Sequence, residues 1–246
     1  MAQVRLRFVG CGDAFSGGGR FQACFHLDGG AEPMLIDCGA TSLVALKRER
    51  IDPNSIGWIA VSHLHGDHFG GIPWLILDGQ FSGRDRPLVV AGPPGTEERF
   101  NAAFEALYPG ATTAERQFEI RFVEMPEGAS TELGPAVVTP FEVVHGAGAP
   151  PYALRIEYAG KVIAYSGDTG WTDALLEVAD GADLFVCECN EFDQQVPGHL
   201  NYRTLAAKRP ELRCERLVLT HMSEEMLAHL DEVELETASD GAVIVI

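Results

Sequence analysis

The chain has 246 residues, of which 46% are hydrophobic and 22% are charged. This composition is that of an ordinary globular protein and excludes a disordered or fibrous one. The length favours a single domain over residues 1–246. No apolar run approaches the roughly 20 residues that span a bilayer, and the six cysteines form no CxxC pair. We therefore expect a cytoplasmic protein that does not contact membranes.

The charge balance limits the choice of substrate. The chain carries 36 acidic and 18 basic residues, which gives a formal net charge of −18. A field of this sign repels polyanions at long range, so a large nucleic acid is a poor candidate for the substrate. A local basic patch formed by Arg5, Arg7 and Arg20 is an alternative that the sequence leaves open.

The first part of the chain predicts short strands joined by loops. Residues 4–9 alternate as a strand, and a glycine cluster at 17–19 follows in a loop. A strand-like run rather than a helix comes after this loop, so the loop predicts a hairpin-like connection near the functional site rather than a phosphate cradle. Residues 34–39 predict a short buried strand that ends in a turn, and residues 42–51 have helical spacing.

Four metal-ligating side chains then fall within six residues, directly after the apolar run at 58–61. These are His63, His65, Asp67 and His68. In an extended chain alternate residues point the same way, so His63 and His65 can face one ion, while Asp67 and His68 can face another beyond the turn at Gly66. A solvated loop that happens to be rich in histidine is the alternative. Imidazole and carboxylate together favour a divalent ion such as Zn²⁺.

The middle of the chain predicts elements of a buried core. Residues 71–81 are apolar nearly all round, as in a buried helix, and residues 87–91 predict a buried strand. An amphipathic helix is expected over 96–108, and three strand-like stretches are expected between 117 and 144.

Three further residues of ligand type follow strand patterns in the second half, namely His145, Asp168 and His221. Each alone has an ordinary alternative as a turn-former or a core histidine. Metal sites, however, are assembled from loops at one edge of a sheet, and this pattern now recurs at four strand ends. The repetition favours one shared metal centre.

The string HLHGDH at 63–68 resembles the signature of the metallo-β-lactamase-fold hydrolases. The resemblance implies a four-layer α/β sandwich of two mixed β-sheets flanked by helices. It also implies two divalent metal ions, with Zn²⁺ favoured over Mn²⁺ or Fe²⁺, and a homodimer by analogy. Asp37 would support the site without ligating. One ion would be bound by His63, His65 and His145, the second by Asp67, His68 and His221, with Asp168 as the bridge.

A glutamate and a histidine outside the predicted metal ligands distinguish branches of these hydrolases. Glu188 ends a strand pattern, and His199 follows eleven residues later. A carboxylate that orients an imidazole and raises its pKa creates a general acid that can protonate a leaving oxygen. With Asp67 positioned to orient the attacking water, the pattern resembles the transfer-RNA 3′-processing endonuclease (tRNase Z) branch and its smaller relatives that cleave cyclic or small phosphodiesters.

Two departures favour the smaller relatives. No insertion between His145 and His221 is long enough for the arm that holds transfer RNA, and residues 222–226 are acidic where that branch carries a basic and aromatic pair. We therefore expect a metal-dependent phosphodiesterase with a small-molecule substrate. The alternatives are a tRNase Z-type 3′ endoribonuclease, a thioesterase or lactonase of the same fold, and a non-enzymatic binding module stabilised by metal.

Overall fold

The computed structural model describes residues 3–29 and 32–246, and within them the strands form two seven-stranded sheets. Across the first sheet the strands are β14 (Val243–Val245), β1 (Arg5–Gly10), β2 (Cys24–Asp28), β3 (Met34–Ile36), β4 (Trp58–Ala60), β5 (Leu88–Gly92) and β6 (Ile120–Glu124). Across the second they are β13 (Glu236–Thr237), β12 (Cys214–Thr220), β11 (Ala182–Glu188), β10 (Lys161–Tyr165), β9 (Tyr152–Tyr158), β8 (Ala136–Glu142) and β7 (Thr131–Leu133).

Both sheets are mixed. Strands β3 to β6 are parallel to one another, as are β10 to β13, and the remaining neighbours are antiparallel. The carboxyl ends of parallel strands meet at one edge of a sheet, which is where ligand-binding loops of such sheets gather. This arrangement places the loops after β4, β10 and β12 at a common edge.

The α-helices of the described chain cover the outer faces of the sandwich. They are α1 (Ser42–Arg48), α2 (Gly66–Phe69), α3 (Ile72–Phe81), α4 (Thr96–Leu107), α5 (Ala174–Ala179), α6 (Tyr202–Lys208) and α7 (Glu224–Ala228). Apolar side chains of α1, α3 and α4 pack against the first sheet, and those of α5, α6 and α7 pack against the second. The predicted four-layer order of helix, sheet, sheet and helix is therefore confirmed.

The central core lies between the sheets because side chains alternate along each strand. On β1, Leu6 and Phe8 are fully buried between the sheets, whereas Arg7 points outward and donates to Glu49 at 2.9 Å. Phe25 makes edge-to-face contacts with Phe8 at 5.3 Å in its own sheet and with Tyr165 at 5.1 Å in the other. Burying each such aromatic ring contributes about 1.5–3 kcal/mol, so these contacts hold the two layers together.

Two of the predicted helices occur within one residue of their expected bounds, at Ile72–Phe81 and Thr96–Leu107. The helix predicted over 42–51 is shorter and ends at Arg48. Its end is set by Arg50, which adopts a left-handed conformation with φ 59°, and by Ile51, whose N–H donates back to Leu46 O at 2.9 Å. This is a helix-ending hydrogen bond that apolar spacing cannot reveal. Within the described ranges, no helix combines the length and the apolar character needed to cross a membrane.

Candidate metal centre

The loops after β4, β8, β10 and β12 bring all the predicted metal ligands together. They form two groups, and within each group one ligand atom of every residue lies within 4.8 Å of the others. The groups are His63, His65, His145 and Asp168, and Asp67, His68, Asp168 and His221. Asp168 belongs to both groups, so its carboxylate lies where one residue can contact two ions.

Four of the inward-facing atoms are buried and have no hydrogen-bond partner within the described chain, namely His63 Nε2, Asp67 Oδ2, His68 Nε2 and Asp168 Oδ1. His68 Nε2 lies 3.2 Å from both Asp67 Oδ2 and Asp168 Oδ1, without the geometry of a hydrogen bond. Leaving one such buried group unsatisfied costs about 1–3 kcal/mol, so several in one place indicate a bound cation. Imidazole nitrogens and carboxylate oxygens suit divalent metal ions.

Contacts behind the ligands fix the direction in which the imidazole rings point. The Asp37 carboxylate accepts from His68 Nδ1 at 2.7 Å and from Ser62 N and Oγ at 2.7 and 2.8 Å. Ser62 Oγ also lies 3.1 Å from His63 Nδ1. These contacts occupy the Nδ1 atoms and leave Nε2 facing the cluster, as outer hydrogen bonds do in metal sites. Asp37 thus contacts the site from behind, as predicted.

A backbone carbonyl does the same for the third histidine of the first group. His145 Nδ1 donates to Gly198 O at 2.9 Å, which leaves Nε2 beside His65. The loop that carries Gly198 also carries His199. One loop therefore orients a predicted metal ligand and the predicted general acid together.

The backbone is strained at two positions in the site. Asp37 has φ 56° and His221 has φ 58°, in the left-handed region that costs a residue with a side chain roughly 1–3 kcal/mol. Hydrogen bonds hold both in place, since Asp37 N donates to Ala60 O at 2.8 Å and His221 N donates to Cys11 O at 3.0 Å. Such strain is retained where side-chain direction matters, and here it directs a support residue and a predicted ligand.

The electrostatics of the cluster favour a bound cation. Burial raises the pKa of the Asp168 carboxyl, but His221 and His68 outweigh burial and hold that pKa well below its ordinary value. Burial lowers the pKa of His68, but Asp168, Asp67 and Asp37 outweigh it and raise that pKa well above the ordinary value. The carboxylates therefore attract positive charge, and a metal ion that binds here must displace a proton.

Glu188 and His199 form a pair beside the two groups. Glu188 ends β11 fully buried and accepts from His199 Nδ1 at 3.1 Å, from Thr169 N at 2.6 Å and from Leu200 N at 3.2 Å. Burial lowers the pKa of His199, but the hydrogen bond and charge of Glu188 outweigh it and raise the pKa to about 9. The pair lies against Asp168, with one ligand atom of each of the three residues within 4.8 Å of the others.

Asp168 and His199 line a cavity of about 350 Å³. Sequence reasoning missed several features of the site, including Asp13 and Phe15, which lie on the glycine-rich loop and line this cavity, and the carbonyl of Gly198, which orients His145. The only sequence signal for the first two was a loop predicted near the site. None of the described residues that line the cavity is Lys or Arg; they are Asp13, Ala14, Phe15, His65, Asp67, His145, Asp168, Asn190, Glu191, Val196, His199, His221 and Ser223.

A family model described as "Anti-Pycsar protein Apyc1" matches residues 4–238. The chain belongs to this family. Ribonuclease Z of Methanosarcina acetivorans is 30% identical to this Apyc1-family chain, and the alignment covers 94% of the chain and 90% of that relative.

Solved structures show the same architecture. The metallo-β-lactamase fold protein YhfI from Bacillus subtilis matches with a TM-score of 0.81 at 22% identity and covers 100% of both chains. The short form of human tRNase Z matches with a TM-score of 0.78 at 25% identity and covers 98% of both chains. This Apyc1-family protein has the metallo-β-lactamase fold, as predicted, and it is a metal-dependent hydrolase related to ribonuclease Z.

Proposed function

We propose that the protein hydrolyses a small or cyclic phosphodiester. The observation that carries this proposal is the Glu188–His199 pair beside Asp168, at the border of two metal-binding groups. Ester hydrolysis of this type needs a group that protonates the leaving oxygen, and an imidazole held by a buried carboxylate is suited to that task. The cavity of about 350 Å³ is at the small end of the range for small-molecule sites.

The donor set supports the following assignment of the metal ligands. His63, His65 and His145 would hold one ion, Asp67, His68 and His221 would hold the second, and Asp168, which belongs to both groups, would contribute to each. The imidazole-rich set favours Zn²⁺. Two bound ions would polarise the phosphodiester and lower the pKa of the attacking water.

The side chains around the centre position the water and move one proton. The water adds to phosphorus, keeps one hydrogen as the hydroxyl of the product phosphate and releases its other proton to solvent, from which His199 is later reprotonated, while the bond from phosphorus to the leaving oxygen breaks. Asp67 Oδ2, which is buried and unpartnered among the described residues, accepts a hydrogen bond from the water and orients it. Glu188 occupies His199 Nδ1, so Nε2 carries the proton that passes to the leaving oxygen, which departs as an alcohol.

Several features favour a small substrate over RNA. Between His145 and His221 the described chain forms strands β9 to β12 and helices α5 and α6, and the longest connection between them, residues 189–201, packs against the site and forms no extended arm. The arginines that the sequence left as a basic patch are engaged elsewhere, since Arg5 pairs with Asp28, Arg7 pairs with Glu49 and Arg20 donates to Ala238 O.

The relationship to ribonuclease Z makes 3′ endoribonuclease activity the second candidate. A substrate panel separates the candidates: a 3′,5′-cyclic nucleotide, bis(p-nitrophenyl) phosphate, a transfer-RNA precursor and a thioester, each with metal-loaded and with chelated protein. We expect metal-dependent hydrolysis of the first two. Efficient, site-specific cleavage of the precursor would establish the ribonuclease function instead, and turnover of the thioester alone would contradict both.

A further inference from the structure

Phe15 is the most exposed large hydrophobic residue in the described chain, with 92% of its surface accessible. It lies on the loop between β1 and β2, and it lines the same cavity as His65, Asp67, Asp168 and His199. Single exposed apolar residues are ordinary on protein surfaces. The position of Phe15 at the mouth of the cavity is the feature that needs an explanation.

The loop holds Phe15 in this exposed position through hydrogen bonds on both sides of it. Before Phe15, Ala14 O accepts from Gln22 Nε2 at 2.9 Å. Around it, the buried Asp13 accepts from Ser16 N through its carbonyl at 3.2 Å and from Gly17 N through its carboxylate at 2.7 Å. The exposure of the ring is therefore built into the loop.

The residues that follow fix the turn. Ser16 adopts a left-handed conformation with φ 59°, and Gly18 follows with φ 64°. A Cβ at Gly18 would lie 2.8 Å from Leu227 Cδ1, so the loop packs closely against α7. A strained turn that is packed on one side and presents an aromatic ring on the other is typical of a ligand-contacting segment.

We propose that Phe15 determines specificity, by stacking on a planar heteroaromatic ring of the phosphodiester. This inference rests on the proposed function. With the phosphate at the metal groups, the rest of a small substrate extends to the cavity mouth, where the exposed ring of Phe15 lies. A nucleobase is a planar ring that gains from such stacking whatever its hydrogen-bonding edge. The structure thus assigns Phe15 to the base of a nucleotide substrate.

The test compares two substrates that differ only in the base: a 3′,5′-cyclic nucleotide and the same cyclic ribose phosphate with hydrogen in place of the base. Phe15→Leu keeps an apolar side chain but removes the flat ring. We expect kcat/KM for the nucleotide to fall about 5- to 50-fold, mainly through KM, because base stacking on aromatic residues is worth that much. Activity on the base-free substrate should stay within about twofold.

Phe81→Leu is the matched control, since Phe81 is also 81% exposed but ends α3 away from the cavity lining. It should leave both activities unchanged. An equal loss with both substrates in Phe15→Leu, or no loss with either, overturns the inference while the phosphodiesterase function stands.

If the wild-type protein hydrolyses neither substrate, the proposed function is refuted. A binding measurement still decides whether Phe15 recognises the base. Calorimetry with metal-loaded protein compares adenosine 5′-monophosphate with ribose 5-phosphate. We expect the nucleotide to bind more tightly to the wild type and this preference to be lost in Phe15→Leu. Equal affinities in the wild type, or an equal loss for both ligands in the variant, would mean that Phe15 does not recognise the base.

Discussion

Asp37→Asn tests whether the contacts behind the cluster control metal binding. The substitution keeps the size and shape of the side chain, and Asn tolerates the left-handed backbone that Asp37 adopts at φ 56°. It changes only what the side chain offers to its partners. The amide oxygen can still accept from Ser62 N, but an amide NH₂ replaces the oxygen that lies 2.7 Å from His68 Nδ1.

The expected magnitude follows from the tautomer of His68. In the wild type, Asp37 accepts the Nδ1 proton, so Nε2 is free to bind metal. An amide NH₂ donates to Nδ1 and places the ring proton on Nε2, which faces the ligand group. Removing an outer hydrogen-bond partner of this kind typically costs 10- to 100-fold in metal affinity. We expect a loss of about that size for the ion held by Asp67, His68 and His221, and a smaller change for the other ion.

Competition with a zinc chelator, together with the metal content of the purified protein, measures this loss. Asp183→Asn is the matched control, because Asp183 also accepts two hydrogen bonds, from Lys161 Nζ at 2.7 Å and Val162 N at 2.8 Å, but lies outside the cluster. It should leave metal affinity unchanged. If Asp37→Asn binds two ions as tightly as the wild type, the tautomer argument is refuted.

Three further predictions concern the proton donor and its loop. His199→Gln should keep both metals, by elemental analysis, and lose about 10²- to 10⁴-fold in kcat; an unchanged kcat would remove His199 as the acid. His199 must be protonated to act, so kcat falls as pH rises through the pKa of His199. Glu188→Gln removes the charge that raises this pKa and should move the alkaline fall in the kcat–pH profile to lower pH. An unshifted profile would argue against the pair. Gly198→Ala would place a Cβ 3.0 Å from His145 Nδ1 at a residue with φ 80° and should lower metal occupancy. Gly160→Ala is the control, because Gly160 has φ 81° but no atom within 4 Å of an added Cβ, and it should leave occupancy unchanged. Equal occupancy in both variants would contradict the role of the loop.

Strands, helices and the location of the site could be predicted from local sequence patterns, whereas the four-layer arrangement was implied by the resemblance of the string at 63–68 to the metallo-β-lactamase-fold hydrolases. Each ligand-type residue follows an apolar run, and a buried strand that ends at a polar residue places it at the sheet edge. His63 and His221 are more than 150 residues apart in sequence, with Asp168 between them. The parallel strands β3 to β6 and β10 to β13 nevertheless bring all three to one edge. Which ion each residue binds stays a prediction.

The features that the sequence did not predict depend on the conformation of the backbone and on contacts of backbone groups. The Gly198 carbonyl that orients His145 has no side-chain signal. The full exposure of Phe15 depends on a turn at Ser16 whose left-handed conformation is rare for serine. A helix end at Arg48 depends in the same way on a left-handed Arg50. Apolar spacing records burial, so it cannot show where a backbone group points.

The charge of the chain and the lining of the cavity together limit the substrate. A phosphodiester is an anion, yet no Lys or Arg is among the described residues that line the cavity, and the chain as a whole carries −18. In the proposed reaction, positive charge at the site would come from the metal ions and from a protonated His199, so we expect metal removal to weaken substrate binding as well as slow the chemistry. A single phosphate can be neutralised in this way. Each further phosphate of a polymer would experience repulsion from the net charge of −18, which is the physical reason to expect one small diester.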